Sequence, residues 1–320
     1  MWTDLHASGL AAPLAVLVAL GVDRVFGEPP ARFHPVVGMG RYLSSMSPRV
    51  APASATERLR PFLLGALCWS LGAAVVTVLA GMLVWLLSAW AWWLQALATG
   101  VLLKPMLAWR MLRDEVRAVE SALDESLGAG RERLGWLVSR EVSELDATQV
   151  RESAIESLAE NLNDSVVAPL FWFAVAGLPG AALYRFANTA DAMWGYRCTR
   201  NGHDWTWAGK WAARADDVMS WLPARITGVL LGLLGPLQGW RAWPAQAGQT
   251  PSPNSGWPMA AMAMALDVRL AKPGVYVLHA GGRSVQAADT ARALQLAGRV
   301  VMSIAGGALL VAMVIWSASP

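Results

Sequence analysis

The longest apolar stretch of the chain runs from Phe62 to Met106 and meets no charged residue before Lys104. A bilayer core needs roughly 20 apolar residues per helix, so this run predicts two consecutive spans. The break between them is expected near Ser88 to Trp93, where a tryptophan cluster would sit at headgroup level. Val300 to Trp316 predicts another span, with Arg299 as its interfacial anchor. Leu10 to Val22 is shorter, lacks a basic segment ahead of it and is followed at once by Asp23 and Arg24; it reads as a short or tilted first span rather than a signal peptide. Two further apolar stretches are interrupted, Val166 to Ala187 by Pro169, Gly177, Pro179 and Gly180, and Val218 to Trp240 by Pro223, Arg225 and Pro236. Discontinuous or re-entrant helices are expected in both.

Between these stretches the arginine-rich segments 23–61 and 108–165 belong on the cytoplasmic side by charge bias, which leaves both termini outside. Segment 188–217 carries Arg197, Arg200, Lys210 and Arg214 and would face outward if every stretch crossed; re-entrant hairpins return it to the cytoplasmic side. The pattern predicts an all-α, polytopic membrane protein with about four to six spans or re-entrant segments. It reads as a single membrane-embedded domain over residues 1–320 with a cytoplasmic helical insertion at about 108–165. Ser44 to Thr56 and Ala247 to Pro258, punctuated by proline and serine, read as loops.

Composition agrees. With 55% hydrophobic and only 15% charged residues, the chain does not resemble a pair of soluble domains. Its net charge of +3 is spread over many loops without a basic stripe, so nucleic acid is not an expected partner. Cys68 and Cys198 make neither a disulfide framework nor a metal-ligand spacing. No phosphate-cradling glycine loop and no serine nucleophile elbow occur, so any nucleotide must be held by carboxylate-bound metal and arginines.

The stretch from Lys104 to Asp164 has soluble-helix character. Asp146 with Gln149 three residues later makes a capping-box start. Beyond it, at ~100° per residue, Ile155, Leu158 and Leu162 fall on one face and Glu152, Glu156, Glu160, Asn163 and Asp164 on the other. Such a stripe is commonly just a solvated face. Here no lysine or arginine relieves its repulsion, and it ends directly against a proline-broken apolar stretch. Glu156, Glu160, Asn161, Asn163 and Asp164 offer carboxylate and amide oxygens close enough to share hard cations, magnesium above all.

Other constellations are more ambiguous. Asn188, Thr189, Asp191, Gly195, Tyr196 and Arg197 form a polar knot that is either two oxygen ligands on one helix face or a capping turn. Arg214, Asp216, Asp217 and Arg225 place acids and guanidiniums in an apolar context, where ionisable groups pair structurally or work chemically. Asp23, Glu28, His34 and Arg41 lie in a rigid N-terminal segment, and Asn254 sits in the stiff, turn-rich loop Pro251 to Pro258.

Five strings in order, DRVFGEPPARFHPVVGMGR (Asp23 to Arg41), ESLAENLNDSVVAPLFW (Glu156 to Trp172), YRFANTADAMWGYR (Tyr184 to Arg197), WAARADDVMSWLPARIT (Trp211 to Thr227) and PSPNSGWPMAAMAMALDVRL (Pro251 to Leu270), resemble the adenosylcobinamide-phosphate synthase family of cobalamin biosynthesis. The resemblance covers most of the chain, from Asp23 to Tyr276. It implies an inner-membrane ligase, with its active site facing the cytoplasm, that joins adenosylcobyric acid to aminopropanol or its phosphate through an amide bond. ATP and magnesium would drive the reaction through an acyl phosphate, and other enzymes of the corrinoid pathway are candidate partners. By position, Glu156, Glu160, Asn163 and Asp164, with Asp191, could hold magnesium. Arg197 and Arg214 could clamp phosphates, and Asp217 could accept a proton from the incoming ammonium. This makes Asp191, Arg214 and Asp217 the catalytic candidates, and Asp23, His34, Arg41, Asn161, Asn188, Arg197 and Asn254 candidates for binding substrate or nucleotide. Glu28 stands where the family pattern would have Asp, and Ala190 replaces a bulkier residue, which touches substrate detail more than reaction class. A non-enzymatic membrane sensor and a cation-coupled transporter are the competing classes; acids gathered at the ends of apolar stretches rather than at mid-span favour an enzyme.

Overall fold

The computed structural model describes residues 2–53, 57–236 and 239–318. In chain order the helices are α1 (Trp2–Phe26), α2 (Pro35–Val50), α3 (Leu59–Leu87), α4 (Trp92–Leu103), α5 (Trp109–Glu125), α6 (Leu127–Leu134), α7 (Ala147–Leu162) and α8 (Ala168–Trp194). They continue as α9 (Trp205–Ala208), α10 (Lys210–Leu234), α11 (Trp243–Ala247), α12 (Gly256–Leu266) and α13 (Ala287–Ser317). Sheet is confined, among the described residues, to two antiparallel hairpins, β1 (Thr199–Arg200) with β2 (His203–Asp204) and β3 (Leu270–Lys272) with β4 (Tyr276–Leu278). Among the described residues, five helical stretches are long and apolar enough to cross a membrane: Gly9–Phe26, Leu59–Leu87, Ala147–Trp194, Lys210–Leu234 and Ala287–Ser317. The chain is thus a polytopic membrane protein of the all-α class, with sheet limited to those short hairpins among the described residues.

Its contacts divide it into two compact units, the first built from 1–107, 168–219 and 307–320 and the second from 108–167 and 220–306. Segment 108–165, expected as an insertion, falls in the second unit together with 220–306.

In the first unit the expected break after α3 lies at Ser88–Ala91, and Trp85, Trp90 and Trp93 around it are exposed, as headgroup-level tryptophans would be. The helix beyond this break is not a full second span. α4 has 12 residues, too few for the bilayer core, and packs along α1. α1 is itself longer than its apolar core, at 25 residues. α3 packs on α8, where Trp69 and Tyr42 meet the ring of Phe186. The interruption expected in α8 is real: Ala176 leaves helical geometry and Gly177 takes φ +63°, ψ −156°, a conformation that only glycine adopts cheaply.

Two proline arguments fail. Ser44 to Val50, expected in a loop, is the last part of α2, because Pro48 near a helix end removes one hydrogen bond from an exposed turn. Residues 54–56 of that expected loop lie outside the described residues. α10 likewise runs unbroken through Pro223. The carbonyl that Pro223 cannot satisfy, that of Met219 four residues back, accepts a hydrogen bond from Trp172 Nε1 at 3.0 Å instead.

In the second unit, α5, α6 and α7 share a core of Val119, Leu134, Leu145, Val150 and Ala154. α12 is buried from Pro258 to Leu266, a run of alanine, methionine and leucine after the proline, and packs against α7 and α11. A single π turn, Asn163–Val167, comes after α7 and ends at the junction with α8. Such turns are rare and recur at functional sites.

Candidate functional site

The capping box that starts α7 is present, with the Asp146 side chain accepting from Gln149 N at 2.8 Å and Gln149 Oε1 accepting from Asp146 N at 2.9 Å. Past it, the acidic face is not solvated. Glu152 and Glu156 are 1% and 5% exposed, as hidden as Ile155 and Leu158 opposite. Glu152 pairs with Arg269 at 3.6 Å and accepts the Ala271 N–H at 3.2 Å. Glu156 lies 3.4 Å from Arg140 Nη2, which also donates to Ser153. The β3–β4 hairpin therefore lies over this wall and brings Tyr276 to it. Burial first, and then the carboxylates of Glu156 and Glu160, push the Tyr276 phenol above its ordinary value, so it stays protonated and donates.

At the π turn, Asn163 Nδ2 donates to Asp164 Oδ1 at 2.8 Å. The fully buried Thr227 hydroxyl sits 3.1 Å from Asn163 Oδ1 and 2.9 Å from the Pro223 carbonyl. Asn161 ties back to Ser157, its Nδ2 donating to the carbonyl at 3.0 Å. Asn161 also lines, with Ser165, Glu115 and Trp136, a cavity of about 300 Å³. Among the described residues no three acids, histidines or cysteines converge as a metal cluster.

A differently charged cavity belongs to the first unit. Where α8 ends, the chain turns through Gly195, Tyr196 and Arg197, forms the β1–β2 hairpin and enters α10. A cavity of about 330 Å³ opens there, walled by Arg197, Lys210, Arg214 and Asp217 with Tyr196 and Trp207. The walls are held by close backbone approach: a β-carbon at Gly209 would overlap the carbonyl oxygen of Trp194, whose ring stacks on Trp205 at 5.7 Å. Lys210 Nζ lies 3.9 Å above the Trp207 ring, which fixes the ammonium at the cavity edge. Three cations against one carboxylate give the cavity a net positive wall, which suits an anionic ligand. On α8 just before this turn, Asn188 Nδ2 reaches Asp216 Oδ1 at 3.5 Å, and Gly195 N donates to the Asp191 carbonyl at 2.7 Å.

Most other sequence candidates are engaged within the protein. Asp23, 1% exposed, faces the buried Lys104 at 3.4 Å, and Lys104 reaches Glu28 at 2.8 Å. His34 caps α2, its Nδ1 accepting from Val36 N at 3.3 Å, which leaves the Nε2 proton to meet Glu28 Oε2 at 2.8 Å. Burial opposes the charge on Glu28, but the bonds from His34 and Lys104 outweigh it and hold its carboxyl below the ordinary value. Arg41 is exposed on α2. Asn254 accepts from Arg225 Nη1 at 3.2 Å, and Arg225 lies between the rings of Trp221 and Trp257 at 4.2 and 4.4 Å. Indole faces and an amide thereby surround the Arg225 guanidinium. Sequence reasoning missed Lys210, Lys104, Arg140 and Tyr276; of these only Lys104, a lone charge ending a long apolar run, carried a signal.

A helical, multi-pass membrane protein with a cation-lined cavity and a buried acidic helix is the class that this architecture defines. The chain belongs to the CobD/Cbib protein family, whose model matches residues 16–297, and so serves cobalamin biosynthesis. Cobalamin biosynthesis protein CobD of Chromobacterium violaceum is 44% identical over 271 residues, covering 82% of this chain and 81% of that protein. The probable cobalamin biosynthesis protein CobD of Methanothermobacter thermautotrophicus is 40% identical, covering 82% and 85%. Cobalamin biosynthesis protein CobD of Rhodobacter capsulatus is 37% identical over 322 residues, covering 95% and 98%. No solved structure matches.

Proposed function

We propose that the protein is an ATP-dependent ligase that joins adenosylcobyric acid to aminopropanol or its phosphate, making the amide of adenosylcobinamide or its phosphate. The observation that carries this reading is the cavity walled by Arg197, Lys210, Arg214 and Asp217. Its cations would hold phosphate oxygens, and its carboxylate suits an ammonium or the proton it sheds. In the reaction, a propionate carboxylate of the corrin attacks the terminal phosphorus of ATP, giving an acyl phosphate and ADP. The amine nitrogen then attacks the acyl carbon, the C–O bond to phosphate breaks, inorganic phosphate leaves, and Asp217 takes the surplus proton. Arg214 and Arg197 stabilise charge on the phosphoryl oxygens in both steps.

Magnesium would neutralise the phosphates. This ion commonly takes one or two carboxylates besides phosphate oxygens and water, so it needs no three-acid cage. Asp164 with Asn163, at the π turn, fits that donor set, and Asp191 is a further candidate. Glu156 fits it poorly because Arg140 and Tyr276 already face it; Glu160, beside the same phenol, shares that difficulty. In this reading the protein resides in the inner membrane with its chemistry on the cytoplasmic side, where ATP is. Purified protein incubated with adenosylcobyric acid, ATP, magnesium and either amine should release ADP and form the amide in equal amounts. ADP release without amide, or no reaction with either amine, would sink the assignment.

A further inference from the structure

Another cavity of the first unit, about 430 Å³, has walls of a different chemistry. It lies among Met39 and Tyr42 of α2, Val76 and Leu79 of α3, and Leu178 and Phe186 of α8. No charged side chain lines it, and the one hydroxyl among its lining residues, that of Tyr42, is used in donating to the Cys68 carbonyl at 2.7 Å. Water held there would find almost no partner, and water needs two to four. The cavity is not sealed, because Val75, Leu79 and Leu83 line it while being 56%, 55% and 40% exposed on the outer side of α3.

The surface through which it opens identifies the occupant. α3 carries no charge after Arg60, and its exposed side bears Leu63, Leu67, Leu71, Val75 and Leu79, an apolar row along a membrane-crossing helix that faces the hydrocarbon of the bilayer. The lining residues of α3 run from Gly72 to Leu83, which at ~1.5 Å rise per residue is ~16 Å. That is about half of a ~30 Å hydrocarbon core, the depth of one leaflet. We propose that this cavity is a lateral slot for one acyl chain of a membrane lipid, drawn from a single leaflet and held between α2, α3 and α8. The inference is independent of the reaction proposed above. It makes the slot a lipid site of the first unit, whatever the cationic cavity binds.

Glycine positions make the test specific. Gly38 lines the slot, and a β-carbon added there meets nothing within 4 Å, so Gly38→Leu places a branched side chain at the slot wall from an unobstructed backbone position. Gly81 of α3 is equally open but does not line it, so Gly81→Leu is the matched control. The full-length protein would be placed in phosphatidylcholine nanodiscs containing a trace of phospholipid with a mid-chain diazirine. After photolysis, adducts would be mapped by peptide mass spectrometry. Adducts are expected on Phe186 and Leu178, which are 1% and 3% exposed and so out of reach of bulk lipid. In Gly38→Leu they should fall by at least about tenfold, the equivalent of displacing two chain methylenes. Gly81→Leu should leave them unchanged. Adducts restricted to outward residues such as Leu67 and Leu71 in the wild-type protein would overturn the proposal without any variant being needed. So would equal labelling of Phe186 in a well-folded Gly38→Leu protein, or cross-links joining Leu79 of two copies of the chain.

Discussion

Lys210→Met is the sharpest test of the cationic cavity, because sequence spacing provided no reason to single this residue out. The substitution keeps the length of the stem and its packing on Trp207 while deleting the charge. Two contributions are lost. The first is the cation–π contact, 3.9 Å from the ring centroid, at about 0.5–1 kcal/mol for a partly exposed site. It acts on local order and should move the thermal midpoint only slightly. The second exists only with ligand bound, as a charge-assisted hydrogen bond to a phosphate oxygen, and is about 1.5–3 kcal/mol. At about 1.4 kcal/mol per tenfold, kcat/KM should fall by roughly 10- to 150-fold for the substrate whose phosphate the cavity holds. Initial rates of amide formation, with ATP and the amine varied separately, reveal which substrate that is. A wild-type kcat/KM for both ATP and the phosphorylated amine would remove Lys210 from the binding machinery. With it would go the reading of the cavity as a phosphate site.

The same geometry sets further outcomes. Asp164→Asn should abolish ATP-dependent amide formation while the protein still inserts and purifies normally, whereas Glu156→Gln should chiefly lower the thermal midpoint; the reverse pattern in activity and melting would exchange their roles. Thr227→Val preserves shape but removes the buried hydroxyl that Asn163 Oδ1 and the Pro223 carbonyl share, at a cost of about 1–3 kcal/mol, so the melting midpoint should drop clearly and an unchanged midpoint would mean that the hydroxyl contributes nothing. Glu28 has a folded-state pKa held below its ordinary value of 4.5, so its contribution to stability is present above that value and is lost as pH falls through the lower, folded value. Thermal melts of wild type should therefore lose stability below about pH 4.5, those of Glu28→Gln should lose less, and parallel curves would contradict the network around Lys104.

The elements that local physics decides were legible in the sequence. Asp146 and Gln149 form their capping box from residues three apart, the tryptophans mark the turn after α3, and Gly177 breaks α8 because no distant contact is needed to do so. The failures share one cause. Whether Pro223 breaks α10 depends on Trp172, far away in the chain, offering a donor to the orphaned carbonyl. Whether the acidic face of α7 meets water depends on a hairpin more than a hundred residues later covering it with Ala271 and Tyr276. Periodicity places Glu152 and Glu156 on one face correctly but says nothing of what lies opposite. Likewise the sequence offered Arg225 two acids as partners, and the fold supplied two indoles and an amide instead.

That sorting changes what each candidate can be expected to do. An ionisable group already matched by a buried counter-charge is expensive to redirect to a ligand, since its partner would be left uncompensated in an apolar setting. Asp23 with Lys104 and Glu156 with Arg140 are in this position, and the caps and turns made by His34 and Asn254 bind them nearly as firmly. Groups on a cavity wall carry no such penalty, because a ligand adds to their contacts rather than replacing them. Arg197, Lys210 and Arg214 line such a wall in the first unit. Substitutions in the matched set should therefore be read out mainly by melting and those on the cavity walls mainly by kcat/KM. Asp23→Asn and Arg214→Gln, measured side by side by both methods, are the pair that separates the two behaviours: a loss of activity in Asp23→Asn with an unchanged melt would place that carboxylate in the chemistry after all.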